Sequence, residues 1–317
     1  MLEPALLLAM ALDALAGWPG GLYRVIGHPV GLFARVIGVC ERTLNREAWS
    51  SAMRRSAGIV TVLVLALIAG GGGWALEAVI RWLCTPWLAT LCLGALAWPG
   101  LAQRSLYVHF TPVRDALMRG DLPAARRAVA MIVGRDTARL DEDGVARAAI
   151  ESLAESFCDG VVAPLFWLVV GGLPGLWFYK AVNTADSLIG HREAPYTHFG
   201  WAAARLDDLL NLIPARLSGV LICLAGVRRE SWGVMLRDHD RHASPNAGWP
   251  EAAMAGVLGV RLAGPVSYDG DLYAKPWIGE GAPAGASSMQ RAGRVYLRAC
   301  ALLWAMALVV IIVGERI

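Results

Sequence analysis

The stretch from Arg147 to Leu217, RAAIESLAESFCDGVVAPLFWLVVGGLPGLWFYKAVNTADSLIGHREAPYTHFGWAAARLDDLLNLIPARL, sets the tightest limit on what this chain can fold into. It places Glu151, Glu155, Asp159, Asp186, Asp207 and Asp208 in sequence apolar enough to enter a bilayer, and Lys180, Arg192, Arg205 and Arg216 lie among them. Charge in that setting is expensive and persists mainly where it pairs, binds an ion or lines a cavity. The stretch therefore reads as a functional site built into a membrane protein.

The rest of the chain agrees with a bilayer setting. Hydrophobic residues make up 56% of its 317 residues, against roughly 45–50% in soluble domains even with glycine counted. Charged residues make up 17%, against about 25%. The net charge of +3 and the lack of an Arg-rich, aromatic-interleaved patch argue against a nucleic-acid partner. The six cysteines are scattered without CxxC or metal spacing and read as small buried hydrophobes. The N-terminal apolar run lacks a basic leader and carries Asp13, so it reads as a retained helix.

A membrane span needs about 20 mostly apolar residues. The candidates are Leu2–Ala16, Ala57–Ile80, Trp82–Leu101, Val161–Val182, Leu209–Val227 and Leu297–Gly314. Gly70–Gly73 is placed to kink the second or end it early, Gly171–Gly175 breaks the fourth, and the fifth contains Pro214 and Arg216. Such breaks favour re-entrant or cavity-lining segments, because the freed backbone groups need partners. The expected fold is an all-α, polytopic membrane protein in one domain over 1–317. It has about 4–6 membrane segments, some broken or re-entrant. A soluble helical insertion is expected near 103–147, where Asp121 before Pro123 signals an N-cap, and a polar loop region near 228–296. Arginine-rich loops mark the cytoplasmic side. The expected location is a bacterial inner membrane, with the site facing the cytoplasm.

Glu151, Glu155 and Asp159 stand at i, i+4 and i+8, which aligns three carboxylates on one helical face. Asn183, Asp186, Ser187 and Gly190 follow at i, i+3, i+4 and i+7, with Lys180 one turn earlier. Asp207, Asp208, Asn211 and Arg216 sit at the mouth of, and inside, a further apolar helix. A solvated face explains the first group equally well, and an Arg205–Asp208 or Arg205–Asp207 pair explains part of the third. Three such groups within so short a span favour a cation site. Hard oxygen ligands suit Mg²⁺, which takes one or two carboxylates together with substrate phosphates; nearby lysine and arginine suit phosphate. His191 beside Arg192 is a candidate proton shuttle, whereas His239 and His242 read as members of a hydrated loop. No P-loop, GxGxxG, HExxH or GxSxG occurs. The residues alone thus describe a membrane protein with a Mg²⁺–phosphate site and an unassigned substrate.

Five blocks, in order along nearly the whole chain, resemble the CbiB/CobD family of adenosylcobinamide-phosphate synthases. They are GHPVGLFARVI (27–37), the region RSLYVHFTPVRDAL to GDLPAARRAVAMIVGRDTARL (104–140), RAAIESLAESFCDGVVAPLFW, the pair YKAVNTADSLIGHR and FGWAAARLDDLLNLIPARL, and SPNAGWPEAAMAGVLGVRLAGP (244–265). Ser156 stands where many members have Asn, and Gly17-Trp18-Pro19 replaces a common GDP. The resemblance implies ATP- and Mg²⁺-dependent joining of adenosylcobyric acid to aminopropanol phosphate or ethanolamine phosphate. It further implies other late cobalamin-pathway enzymes as partners. On this reading Glu151, Glu155, Asp186, His191, Asp207 and Asp208 are catalytic, and Glu155, Asp159, Asp186 and Asp207 hold the metal. Lys180, Asn183, Ser187, Arg192, Arg205, Asn211, Arg216, His28 and Asn246 bind ATP or substrate. Trp177, Phe178, Trp201 and Trp249 are candidates to line the corrinoid cavity, or members of an interfacial aromatic belt. Two other classes compete: a non-catalytic AmpE-like membrane sensor, which would lack the acidic central block, and a transporter, which would show inverted repeats.

Overall fold

The computed structural model describes residues 3–134, 136–268, 271–273 and 275–314. The helices, in chain order, are α1 (Glu3–Ala16), α2 (Gly20–Ile26), α3 (Val30–Leu44), α4 (Ser51–Leu65), α5 (Gly72–Leu83), α6 (Pro86–Ala97), α7 (Gln103–Met118) and α8 (Leu122–Val129). They continue as α9 (Glu142–Phe157), α10 (Ala163–Ile189), α11 (Tyr196–Phe199), α12 (Trp201–Leu210), α13 (Leu212–Gly226), α14 (Glu230–Asp238), α15 (Gly248–Leu258) and α16 (Ala286–Gly314). Four short strands form two antiparallel ladders, β1 (Leu262–Ala263) with β4 (Trp277–Ile278) and β2 (Val266–Tyr268) with β3 (Asp271–Tyr273). The class is all-α, as the apolar periodicity implies.

Among the described residues, four helical runs are long and apolar enough to cross a membrane: Gly20–Leu44, Ser51–Leu83, Glu142–Ile189 and Ala286–Ile312. A fifth arises if α12 and α13, broken at Asn211, count together. Two expectations change. Gly20–Leu44, read from its arginines as a loop, is helical on both sides of His28-Pro29. Trp82–Leu101 is not one span: Pro86 starts a 12-residue helix, and Trp98-Pro99-Gly100 ends it in a 3₁₀ turn. Gly70–Gly73 does not stop its helix, because a π-turn at Ala66–Gly71 leads directly into α5. Asp121 is an N-cap, its carboxylate accepting from the Ala124 N–H.

The chain forms two compact units, each drawn from separated stretches. The first comprises 3–102, 163–211 and 307–314, and the second 103–162 and 212–306. In the first, Phe33, Ile37 and Cys40 of α3 pack against Ala57, Val62 and Leu65 of α4 and against Ala181, Ala185 and Ile189 of α10. Alanine on the facing helices lets the backbones approach closely, the usual way helices pack where lipid removes the hydrophobic driving force. In the second unit α9 and α15 are the interior helices. Val145 to Ile150 and Ala252 to Leu258 are almost wholly buried.

The break in α10 has an identifiable cause and an identifiable cap. Gly172 has φ 62 and ψ −154, a conformation L side chains avoid, and Pro174 follows. The Leu173 N–H freed by this break donates to Glu77 Oε2 at 3.0 Å, and Glu77 pairs with Arg81 one turn along α5 at 2.8 Å. An apolar setting offers no water to replace that acceptor. Glu77→Ala is therefore expected to destabilise the first unit by about 1–3 kcal/mol, the cost of an unmet buried donor. Glu77→Gln, which keeps a carbonyl oxygen, should cost less. Thermal unfolding in detergent ranks the two variants against wild type, and equal stability of all three would remove the cap from the account.

Candidate functional site

In the first unit, α10 and α12 bring the central acidic residues together. Both helices end with carboxylates and no basic residue in the last turn: Asp186 in α10, Asp207 and Asp208 in α12. The C-terminal end of a helix carries partial negative charge, so an anion there is disfavoured and a cation favoured. Asp208 and His191 are the charged groups that act on Asp186, and Arg205 and Arg192 are those that act on Asp208. Asp186, His191, Arg192, Arg205 and Asp208 thus form one electrostatic cluster. Arg205 reaches Asp208 at 3.3 Å, but its side chain is 63% exposed. Such a pair adds about 0–1 kcal/mol, so holding the fold does not account for the cluster.

Asp207 behaves differently from its neighbour. It is 8% exposed, and both its oxygens are taken: Oδ1 accepts from Asn183 Nδ2 at 3.2 Å and Oδ2 from Asn211 Nδ2 at 3.0 Å. The buried Tyr179 hydroxyl donates to Asn211 Oδ1 at 3.1 Å. This chain of hydrogen bonds ties α10 to α12 and presents Asp208, the next residue, toward the cluster. Tyr179 carried no signal in the sequence beyond its place in an apolar run.

Gly190 shapes the other half. A Cβ there would lie 1.9 Å from Asp186 Oδ1 and 2.6 Å from the Asp186 carbonyl oxygen. The Gly190 N–H donates to that carbonyl at 2.7 Å, closing the helix end. The Asp186 carboxylate occupies the space that any side chain at 190 would fill. The following loop is pinned by Tyr196, which donates to Glu41 Oε1 at 2.7 Å, and by Arg54 and Asn45, which both donate to the Pro195 carbonyl. The bond to Glu41 holds the Tyr196 phenol above its usual range. His191 leans on the Tyr196 ring.

The remaining candidates of the first unit lie around this cluster. Lys180, half-buried on α10, is the charged neighbour of His28, whose Nδ1 accepts from the Val30 N–H and whose ring meets Trp18 edge-on. The Ser187 hydroxyl donates back to the Asn183 carbonyl. Trp177 packs edge-on against Phe33, Phe178 lies beside the buried Tyr179 and Val182, and Trp201 is 43% exposed with Arg55 over its ring.

The second unit holds the other candidates. Glu151 accepts from the Ala263 N–H at 2.8 Å, which anchors β1 to α9. Glu155 is exposed and Asp159 half-buried. The expected straight line of three carboxylates holds only through Glu155, because the helix passes into a π-turn at Cys158–Val162 and rotates Asp159 out of register. Arg216 donates to the Leu212 carbonyl and places its guanidinium 4.7 Å from the Trp249 ring centroid. Trp249 also stacks on His239 at 3.9 Å, so its indole is engaged by protein groups. Asn246 is buried in the turn before α15. Among the described residues no three His, Cys, Asp or Glu side chains are grouped as a metal site.

The family profile described as "CobD/Cbib protein" matches residues 6–296. The chain belongs to the CobD/Cbib family. A relative from Rhodobacter capsulatus, named Cobalamin biosynthesis protein CobD, is 50% identical over 279 residues, covering 88% of this chain and 87% of that protein. Relatives of the same name from a Sinorhizobium species and from Geobacter metallireducens are each 46% identical. They cover 94% and 86% of this chain and 94% and 85% of their own length. No solved structure matches the chain. The matched region includes the acidic blocks of both units and the candidate residues named above.

Proposed function

We propose that this CobD/Cbib protein is an ATP- and Mg²⁺-dependent amide synthase of cobalamin biosynthesis. It would join the free carboxylate of adenosylcobyric acid to the amine of aminopropanol phosphate or ethanolamine phosphate, at a bacterial inner membrane with the site on the cytoplasmic side. The observation that carries the reading is the pairing of Asp186 with Asp208 at two helix C-termini, ringed by Arg192, Arg205 and His191. Two carboxylates at negative helix ends fit Mg²⁺, which takes one or two carboxylates and fills its remaining positions with phosphate oxygens and water. When bound, the ion neutralises phosphate charge.

A carboxylate and an amine do not condense unaided in water. The substrate carboxylate oxygen first attacks a phosphorus of ATP: attack at the γ-phosphorus gives an acyl phosphate and expels ADP, and attack at the α-phosphorus gives an acyl adenylate and expels pyrophosphate. The amine then attacks the activated acyl carbon, the C–N bond forms, and phosphate (from the acyl phosphate) or AMP (from the acyl adenylate) departs with the electron pair of the C–O bond. Arg192 and Arg205 stabilise the charge that gathers on the phosphoryl oxygens. His191 takes the proton the amine loses. Asp186 and Asp208 would hold the metal, while Tyr179, Asn183, Asp207 and Asn211 position Asp208.

Purified protein in detergent, given adenosylcobyric acid, ATP, Mg²⁺ and each amine in turn, should form ADP or AMP only when corrinoid and amine are both present. Nucleotide turnover indifferent to the corrinoid would sink the reading. Gly190→Ala probes the geometry, since its methyl must displace the Asp186 carboxylate. An ångström-scale misplacement at a reacting centre costs on the order of 10²-fold, so turnover should fall by about that factor with corrinoid affinity retained.

A further inference from the structure

Within the second unit, Arg147 of α9 and Arg261, just before β1, share one aromatic ring. Their guanidinium carbons lie 5.0 and 4.6 Å from the ring centroid of Trp277 in β4. The two like charges therefore stand less than a Debye length, about 10 Å, apart. The local fold fixes all three side chains. Ala263 pairs with Trp277 across the β1–β4 ladder, and the Ala263 N–H donates at 2.8 Å to Glu151, one turn beyond Arg147 on α9. Arg241 donates to the Trp277 carbonyl at 3.0 Å. Gly264, at φ 74, lets the indole lie against the chain, since a Cβ there would stand 2.4 Å from the ring.

Burial makes this arrangement of like charges costly. The Arg147 side chain is 10% exposed, and Asp143 stands 4.0 Å from it, at the limit of an ion pair. The other Asp143 oxygen already accepts from the Ala284 N–H at 2.6 Å. The Nε atoms of Arg147 and Arg261 are both buried and meet no acceptor among the described residues. A ring face attracts each cation but leaves the in-plane N–H donors unmet. Buried charge is costly unless it is both paired and hydrogen-bonded, and here both conditions are poorly met. Arg261 and Trp277 are half-buried, so the pair can be reached from solvent.

We propose that Arg147 and Arg261 form a binding site for a phosphate monoester group, with the Trp277 ring as its apolar wall. Such a group carries close to two negative charges at neutral pH and three strong acceptor oxygens. Two guanidinium forks match it in charge and in donors, whereas a carboxylate would offset only one of the two charges. Soluble phosphate and the headgroup of phosphatidic acid present this same chemistry. The pair lies wholly in the second unit, and it stands independently of the amide-synthase reading.

The test follows amide exchange at Ala263 and Ile278 in the full-length protein, held in phosphatidylcholine nanodiscs. Sodium chloride, inorganic phosphate at matched ionic strength, and nanodiscs containing phosphatidic acid without free phosphate are compared. Phosphate at about ten times its dissociation constant should slow exchange at both amides about tenfold relative to chloride, for openings that release the ligand. A response to inorganic phosphate identifies a soluble ligand, and a response to phosphatidic acid alone identifies a lipid headgroup; either supports the site. Arg261→Gln and Arg147→Gln should each abolish the response while unfolding, without phosphate, at the wild-type temperature. Arg261→Gln, the more exposed position, decides the matter if Arg147→Gln does not fold. No protection of wild type from either source, or equal protection in Arg261→Gln, overturns the site. Unliganded Arg261→Gln unfolding well below wild type makes the guanidinium a structural stack on Trp277 and overturns it as well.

Discussion

Asp186→Asn and Asp208→Asn should each lower corrinoid-dependent ATP turnover by about 10²-fold or more, the scale on which loss of a charge-stabilising group acts at a reacting centre. Both variants should fold normally, because the Arg205–Asp208 ion pair involves an arginine that is 63% exposed, and such a pair adds only about 0–1 kcal/mol. The Mg²⁺ concentration giving half-maximal rate should rise in both. Asp207→Asn is the control that separates position from chemistry. An amide at 207 turns one acceptor into a donor that faces the Nδ2 of Asn183 or Asn211. The expected loss is about 1–3 kcal/mol of stability, seen in thermal unfolding before any effect on Mg²⁺ dependence. Full turnover and an unchanged Mg²⁺ requirement in Asp186→Asn would remove the carboxylate pair from the mechanism.

The largest effect on stability is expected at Asp238. Its side chain is fully buried and accepts from Arg237 Nε and Nη2, from Arg241 at 3.2 Å and from the Gly279 N–H at 2.8 Å. These bonds fasten the end of α14 to the loop after β4. Asp238→Asn should cost about 3 kcal/mol, the low end for breaking a buried pair, since both arginines reach solvent and can rehydrate. Amide exchange at Gly279 reads the loss locally, and protection there should fall in the variant. The hydrogen bonds from Arg237 hold the Asp238 carboxyl below the usual carboxylate range. A depressed folded value means its stabilisation is fully present above the unfolded value, near 3.9, and is lost as pH falls through the folded one. Gly279 protection should therefore be level from neutral pH down to about 5 and decline only below about 4. Protection that falls between pH 7 and 5 would assign the anchor to another group.

Much of this was legible before any coordinates. The all-α class, the break near Gly172, the Asp121 cap and the acidic central block follow from local rules, whereas the fifth segment bends at Asn211 and not at the Pro214 that the sequence points to. Apolar length, the backbone freedom of glycine, and proline's missing N–H act within a few residues of themselves. The Gly20–Leu44 run was hidden because Arg24, Arg35 and Arg42 read as loop residues, although α3 turns Phe33, Ile37 and Cys40 inward and leaves its arginines outside the core. Nothing in the local pattern marked Glu77 or Asp238, whose partners lie 96 and 41 residues away.

The division within the acidic block shows the same boundary most clearly. Residue types and helical spacing were enough to collect Asp186, Asp207 and Asp208 as candidates for one cation site, because the cost of charge in apolar sequence is a local quantity. Their separate roles were not, since Asp207 and Asp208 are adjacent and chemically identical. Only the packing of α10 on α12 turns Asp207 into the amide side chains of Asn183 and Asn211 and leaves Asp208 beside Asp186. A carboxylate's role depends on which donors surround it, and those donors are brought together by the fold.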